Sequence, residues 1–397
     1  MKGEESRVCC MLGDKRQYQL LYFVFFASSN GFVVFRNAYF EELGLSGSQM
    51  GLLGALLVVG GMIAQPIWGG LADRFAASKP VLLIAAGVSS VVILAFPLAG
   101  SVPDPFLLLV LATALLSTVR SPIVPITNAM ILSKGLDYGQ VRAFGSIAFG
   151  LGSLVIGWLL SRFATEIVFY IYAVGMVVLV LIVRGVPDAD ADLTPDLKRE
   201  ALKLVTNRRF LLLLGVAVLL GGASSSGSAY FSVYVREIGA PDSLTGTAWM
   251  VKTVGEAVIF LSMAKIGLAN RTQLTLGAGL FAASFLVYAA VATPAAIMAV
   301  QLVLGVGLAL YNLAVVNFAH RFSPDDLTST GQAVLSAFGI GTGRALGQLG
   351  AGGVMDAIGV VSMYYVLAAV AACALLLSLG FHGPTLRRLG DATSVGQ

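Results

Sequence analysis

Roughly twelve apolar runs follow one another along this chain, and they constrain its fold more than any other feature. Each run is close to the ~20 residues that an α-helix needs to cross a bilayer. A chain inside lipid must satisfy its own backbone hydrogen bonds, so the runs predict helices. Most connections are short, which predicts antiparallel neighbours. The runs are approximately Gln17–Phe40, Ser48–Ala72, Pro80–Gly100, Pro105–Ser133, Val141–Phe163, Ile167–Val186, Phe210–Val235, Leu244–Leu268, Thr272–Ala292, Ala295–Ala319, Ser329–Met355 and Val361–Phe381.

The composition excludes a water-soluble protein. Of 397 residues, 57% are hydrophobic and 12% are charged, whereas soluble domains carry about 25% charged residues. The net charge of +4 predicts no nucleic-acid partner, because the basic residues lie in loops between the apolar runs. The three cysteines lack the spacing of a disulfide framework or a metal site, so we expect no metal and no cofactor. We also expect no cleavable signal peptide, because the first run begins near Tyr18 and is long enough to span.

A polar stretch at 184–209 interrupts the apolar runs near the middle of the chain. Six runs precede it and six follow it. This predicts an N-terminal six-helix bundle at 1–183, a cytoplasmic central loop at 184–209 and a C-terminal six-helix bundle at 210–397. Paired bundles of this kind are the layout of many secondary transporters.

The loops differ in charge on the two sides of the predicted membrane. With the N-terminus inside, the inner side receives most of the basic loop residues, as cytoplasmic loops usually do. The outer side receives only Arg162 and Arg236 among mainly acidic residues, namely Glu41, Glu42, Asp104, Glu166, Glu237, Asp242 and Asp356. We therefore predict a multi-pass protein of the cell membrane with both termini in the cytoplasm.

The turn Gly69–Pro80, between the second and third runs, reads GGLADRFAASKP. Asp73 would lie at the C-terminal end of a helix, where the helix dipole disfavours an anion. It therefore needs a cation or another helix N-terminus, and such a contact can form in one conformation and break in another. The turn resembles the cytoplasmic loop between helices 2 and 3 of the major facilitator superfamily. The resemblance implies that Asp73 and Arg74 act in a gate; the simpler alternative is a solvated turn that only fixes topology.

A second stretch, Tyr138–Gly152, carries Tyr138, Gly139, Arg142, Gly145 and Ser146. It resembles the start of helix 5 in the branch that contains lactose permease, the nucleoside–proton symporters and the phenylpropionate-type permeases. The chain departs from that branch on helix 4, where Asn128 stands at the position of a usual carboxylate. It also lacks the buried Arg of lactose permease on helix 9 and its His and Glu on helix 10. The proton-transfer residues of lactose permease are therefore not carried over as a set.

Six ionisable residues lie within the predicted spans, and a charge at the bilayer centre costs at least ~2.5 kcal/mol unless it faces a cavity or a partner. Arg36 could instead extend to the membrane surface. By span counting alone, Arg142 is a loop cation, whereas the resemblance makes it a substrate ligand. We expect Arg120 and Arg344 to be cavity cations. The six are Arg36, Arg120, Arg142, Lys252, Glu256 and Arg344.

Lys252 and Glu256 are four residues apart, so their side chains share one helix face. They could simply neutralise each other, or Glu256 could be the proton- or substrate-binding carboxylate that Lys252 holds poised. Because the spans hold five cations and one acid, we also formulate the hypothesis of an electropositive cavity and an anionic solute. We expect Trp249 to be an interfacial anchor. The glycine-rich runs of helices 5 and 11 are read as close helix packing.

These observations predict an all-α membrane protein with 12 transmembrane helices in two six-helix bundles, which is the major facilitator fold. The expected function is secondary active transport, as proton-coupled symport of a small polar organic solute (sugar, nucleoside or organic anion) by alternating access. A proton-coupled exporter or a transport-inactive ligand sensor are the alternatives. An enzyme is not expected, because the sequence offers no metal-ligand spacing and no nucleophile–base pair. A monomer suffices. The predicted substrate- and proton-binding residues are Arg120, Asn128, Arg142, Lys252, Glu256 and Arg344.

Overall fold

The computed structural model of the chain describes residues 2–75, 77–186, 207–291, 293–322, 331–332 and 334–382. Every regular element in these ranges is helical, which confirms the predicted all-α fold. Most of the predicted central loop, 187–206, lies outside the described residues. The chain forms two compact units, one made of Met1–Leu45 and Leu56–Thr194 and the other of Ser46–Ala55 and Pro195–Gln397.

The helices up to the central loop alternate long spans with short breaks. They are α1 Lys2–Glu42, α2 Gly47–Arg74, α3 Ser78–Val92, α4 Ala95–Ala99, α5 Pro105–Arg120, α6 Ile123–Ser133, α7 Tyr138–Leu160 and α8 Ile167–Gly185. After the loop come α9 Arg208–Ala229, α10 Phe231–Glu237, α11 Asp242–Ile266, α12 Asn270–Ala290, α13 Pro294–Phe322, a π-helix Leu335–Gly341, α14 Thr342–Ile358, α15 Val360–Leu379 and a 3-10 turn Gly380–His382.

Eleven helical segments in the described ranges are long and apolar enough to cross a membrane. The remaining predicted span, Ser329–Met355, coincides with the π-helix and most of α14. The helices therefore agree with the predicted count of twelve. A π-helix inside an α-helical span is rare and often marks a functional position.

Aromatic side chains form the core of each unit. In the first unit, Phe32 packs against Phe96, Phe169 and Tyr172. Phe96 also packs against Phe169, and the ring centroids of these four pairs are 5.3–6.4 Å apart. In the second unit, Tyr364 contacts Tyr234, Phe285 and Tyr288 at 4.9–5.8 Å. These offset and edge-on arrangements are the ones that aromatic quadrupoles favour.

The fourth predicted run, Pro105–Ser133, is not one continuous helix. It divides into α5 and α6 at Ser121 and Pro122. Pro122 has no backbone N–H and its ring crowds the preceding turn, so a break there is expected. Arg120 is consequently the last residue of α5.

Glycines let α9 and α14 cross closely in the second unit. A Cβ placed on Gly347 would lie 2.6 Å from the backbone of Gly222, and one on Gly222 would lie 2.9 Å from the carbonyl oxygen of Gly343. Small residues allow helix backbones to approach in this way. Close packing is therefore the role of these glycines, as the sequence predicts.

Candidate functional site

In the first unit, residues from three helices form an aromatic–arginine cluster, which consists of Tyr22 and Phe26 on α1, Asn128 on α6 and Arg142 on α7. The guanidinium carbon of Arg142 lies 4.7 Å from the centroid of the Phe26 ring. Phe26 stacks on Tyr22, with ring centroids 5.6 Å apart and an interplanar angle of 30°. The Tyr22 hydroxyl donates a hydrogen bond to Oδ1 of Asn128. Two aromatic rings thus bring the predicted residues Asn128 and Arg142 together.

Gly145, one turn after Arg142 on α7, makes room for this cluster. A Cβ at this position would lie 2.7 Å from Cδ2 of Phe26 and 3.0 Å from Cδ1 of Tyr22. Real Cβ atoms do not approach aromatic carbons so closely, so any larger residue would displace the rings. The Gly145 of the sequence motif therefore has a packing role beside Arg142.

The chemistry of the cluster follows from the geometry of Arg142. One face of its guanidinium covers the Phe26 ring, and the side chain is half-buried. Within the described part of the chain its N–H groups have no hydrogen-bond acceptor. A planar guanidinium presents several donors in a rigid fork that fits a carboxylate or a pair of hydroxyls. The cluster can bind a small polar group of either kind next to an aromatic surface.

Arg120 and Arg36 lie elsewhere in the first unit. The Arg120 guanidinium is 5.5 Å from the Phe25 ring and 6.0 Å from the Phe32 ring. Its Nε is buried and has no hydrogen-bond partner among the described residues, and its charge acts on buried Tyr172. Arg36 is also buried, donates to the carbonyl of Val33 and lies over Phe32. Phe25 packs edge-on against Phe26 with ring centroids 5.2 Å apart, so one ring separates Arg120 from the aromatic–arginine cluster. Arg36 is not at the surface.

In the second unit, Lys252 is the centre of another cluster. Its side chain is 6% exposed, and its Nζ donates to Oγ of Ser228 at 3.2 Å. The same Nζ lies 4.4 Å from the centroid of the Trp249 ring, one turn earlier on α11. Trp249 is thus a neighbour of the ammonium, and its interfacial role stays a prediction. The charges of Glu256 and Arg344 both act on Lys252, so the three predicted residues are electrostatically linked.

A small cavity lies beside Lys252, inside the second unit. Four helices contribute to it, and its wall combines aromatic rings with hydroxyl, amide and ammonium groups. We call it the Lys252 cavity. It is lined by Ser224, Gly227, Ser228, Trp249, Lys252, Phe281, Phe285, Tyr288, Gln301 and Leu304.

Arg344 lies three residues after the end of the π-helix, on α14, and its side chain is exposed. Its charge acts on Tyr311 of α13, which is buried and whose hydroxyl is 3.5 Å from the carbonyl oxygen of Ala217. Among the described residues, no group of three or more His, Cys, Asp or Glu side chains could hold a metal ion.

The predicted gate residues lie at the end of α2. Asp73 is half-buried, whereas Arg74 is exposed and lies 5.7 Å from the ring of Phe75. The next basic residue, Lys79, donates to the carbonyls of Arg184 and Val186 at 2.9 Å. Its cation therefore caps the C-terminus of α8, where carbonyls lack intrahelical partners and the dipole favours positive charge.

Asp356 is a contact residue that the sequence did not reveal. Its carboxylate accepts hydrogen bonds from the N–H of Gly47 at 2.5 Å, from the N–H of Ser48 at 2.8 Å and from the hydroxyl of Ser48 at 2.5 Å. Asp356 thus caps the N-terminus of α2 from the end of α14. The segment Ser46–Ala55 belongs to the same compact unit as Asp356. Ser46 and Ser48 are typical of a helix start. Asp356 is more than 300 residues away in the sequence, so the local sequence does not predict it as their partner.

Comparison with known proteins decides the family. The sequence model of the MFS_1 like family matches residues 16–366. The chain belongs to the MFS_1 like family of major facilitator transporters. Members of this family are transporters rather than enzymes, and the predicted resemblance is confirmed.

Several relatives resemble this MFS_1 like protein over most of its length. It is 28% identical to a maltose permease of Geobacillus stearothermophilus over 375 residues, which cover 92% of this chain and 94% of the relative. It is 27% identical to a probable 3-phenylpropionic acid transporter of Escherichia coli over 258 residues, 63% of this chain and 67% of the relative. A crystal structure of a variant of the nucleoside transporter NupG superposes with a TM-score of 0.82 at 18% identity, covering 93% of this chain and 98% of that one. The last comparison establishes the fold.

Proposed function

We propose that this protein takes up a small polar organic solute by proton-coupled symport, through alternating access. The predicted solute is a sugar, a nucleoside or an organic anion. The protein works as a monomer in the cell membrane with both termini in the cytoplasm, and it catalyses no chemical conversion. The relatives that carry the names maltose permease and 3-phenylpropionic acid transporter support transport of small organic molecules.

The observation that carries the proposal is the linked set of ionisable residues on membrane-spanning helices of the second unit. Lys252 is buried with neutral contacts, and Glu256 is one turn away on the same helix. Charged side chains at membrane depth are costly and usually serve ion or substrate pathways. A carboxylate beside a buried ammonium can take up or release a proton when the environment of the ammonium changes.

We assign roles on this basis. Arg142 and Asn128 bind the solute, since a half-buried guanidinium on an aromatic ring retains unpaired donors. Glu256 carries the coupled proton and Lys252 adjusts its proton affinity. Arg120 and Arg344 raise the local positive potential. Asp73 and Arg74 act in an inner gate at the end of α2.

The proposal predicts that Glu256→Gln abolishes concentrative uptake but retains exchange of preloaded solute. Glutamine keeps the shape and polarity of the side chain but cannot carry a proton, so only the coupled step is lost. Purified protein is reconstituted in liposomes with an imposed pH gradient, and accumulation of radiolabelled maltose, uridine and 3-phenylpropionate is measured. Vesicles of known sidedness distinguish uptake from export.

Glu237→Gln provides a matched control, because Glu237 is exposed at the end of α10. It should accumulate solute at the wild-type level. Unchanged gradient-driven accumulation by Glu256→Gln would show that Glu256 is not the coupling residue. Failure of the wild-type protein to accumulate any of the three solutes would contradict coupled symport.

A further inference from the structure

The Lys252 cavity is lined by two residues whose buried polar atoms have no hydrogen-bond partner among the described residues. The Gln301 side chain is 3% exposed, and its Oε1 has no hydrogen-bond partner among the described residues. The same holds for the hydroxyl of Tyr288, a residue that is 1% exposed. Both residues line the cavity together with Lys252 and Ser228. Buried polar atoms without partners are rare, and each one requires an explanation.

The cavity wall offers both hydrogen-bond donors and a hydrogen-bond acceptor. The ammonium of Lys252 has three N–H donors, and Ser228 receives one of them. The amide oxygen of Gln301 can only accept. A group that satisfies both residues must therefore accept from an ammonium and donate to an amide oxygen.

Few chemical groups meet this requirement. An ionised carboxylate accepts hydrogen bonds but has no hydrogen to give, and an ammonium donates but cannot accept. A hydroxyl and a water molecule both do so, and the titration below separates a solute hydroxyl from a bound water. The free space next to these residues has room for a group of about the size of one water molecule, which a hydroxyl matches.

The rest of the cavity wall is aromatic. Trp249, Phe281 and Phe285 line it beside the polar groups. Apolar rings around a few placed hydrogen-bonding groups are the usual composition of small-molecule sites.

We propose that the Lys252 cavity is a hydroxyl-binding subsite and that the transported solute is polyhydroxylated. A hydroxyl of the solute accepts from the Lys252 ammonium and donates to Oε1 of Gln301, with Tyr288 as a further partner. This inference rests on the proposed transport function and narrows its three solute classes to sugars and nucleosides. Gln301 and Tyr288 are then specificity-determining residues.

The test uses Trp249 as a reporter within the cavity. The chain has three tryptophans, and the other two are in the first unit, where the Trp68 indole donates to the carbonyl of Thr118 and Trp158 stacks with Arg162. Trp68→Phe and Trp158→Phe together leave Trp249 as the single indole. The purified variant is titrated with maltose, uridine and 3-phenylpropionate while Trp249 fluorescence is recorded. We expect a saturable change with maltose or uridine and none with 3-phenylpropionate.

Gln301→Leu in this background should weaken the binding of the responding solute about tenfold, the usual effect of losing one buried hydrogen bond. Gln273→Leu is the matched control, because Gln273 is a buried glutamine of the same unit that does not line the cavity. It should bind as tightly as the parent. If Gln301→Leu does not fold, Tyr288→Phe replaces it, since the Tyr288 carbonyl that receives the Tyr234 hydroxyl is retained.

Three results would overturn the inference. They are a saturable response to 3-phenylpropionate alone, no saturable response to maltose or uridine, and unchanged affinity in the folded cavity variant. The titration uses no proton gradient, so it is independent of coupling. A protein that binds maltose but fails gradient-driven accumulation would contradict the proposed symport and leave the subsite intact.

Discussion

Arg142 combines a fixed position with unpaired donors, and this makes it the most informative single residue of the first unit. We predict that Arg142→Lys raises the KM of solute uptake about tenfold or more with little change in protein stability. Lysine keeps the charge but loses the planar fork that can hold two acceptors at once. The measurement is the initial uptake rate in liposomes as a function of solute concentration.

Arg162→Lys is the control for that substitution. Arg162 also lies over an aromatic ring, 4.0 Å from the Trp158 centroid, but it lies beyond the end of α7 and is exposed. It should leave KM unchanged. Equal effects of the two variants would mean that a stacked cation matters for folding alone, and Arg142 would lose its assigned role.

The sequence locates the charged residues on their helices more readily than it predicts the groups that they contact. The spacing of Lys252 and Glu256 correctly indicates a shared helix face, and the structure adds that the ammonium donates to Ser228 of a different helix. Trp249 precedes Lys252 by one turn, so their contact could have been inferred from the i, i+3 spacing. Gln301 and Tyr288 could not, because side-chain pairing between distant helices has no period in the sequence.

At the scale of elements, the contact that caps α2 depends on pH, because it requires the ionised carboxylate of Asp356. Burial acts to raise the pKa of Asp356, but hydrogen bonds from Ser48, Gly47 and Ser46 outweigh this and hold the pKa below its ordinary value of 3.8. A lowered pKa in the folded state stabilises the fold above the ordinary pKa, and this contribution disappears as the pH falls through the lowered value. The cap is therefore fully ionised over the physiological range.

We accordingly predict that Asp356→Asn lowers the melting temperature by a similar, small amount at about pH 5 and about pH 8, because the charge at the helix N-terminus is lost equally at both. Thermal unfolding of the purified protein in detergent measures this. Asp104→Asn is the control, since Asp104 accepts a single hydrogen bond, at 3.2 Å, from Phe106 within its own helix start. A difference between wild type and Asp356→Asn that vanishes at pH 5 would mean that the carboxylate is already protonated there.

Hydropathy was enough to predict where the membrane-spanning helices lie, but the positions of the prolines were not enough to predict where those helices break. The apolar runs located the spans because a membrane helix must be apolar along its whole length. The division of the fourth run at Pro122 and the π-helix at Leu335–Gly341 were not predicted. Proline only biases a helix towards a break, and a π-helix depends on the packing of its neighbours rather than on composition.

At the scale of the whole molecule, each compact unit carries its own cluster of charged and aromatic residues. The first has Arg142 on the Phe26 ring, and the second has Lys252 on the Trp249 ring. Charges at membrane depth are costly and are usually retained where they serve transport, and this is the reason for our assignment of these residues. We propose that these residues couple proton movement to solute movement.

The most direct test of that claim measures proton flow caused by the solute itself. Purified protein is reconstituted in liposomes that enclose a pH-sensitive dye, with no gradient of pH or voltage, and maltose or uridine is added outside. We predict that solute entry acidifies the vesicle interior and that Glu256→Gln abolishes this acidification. Solute entry without any change of internal pH would contradict it.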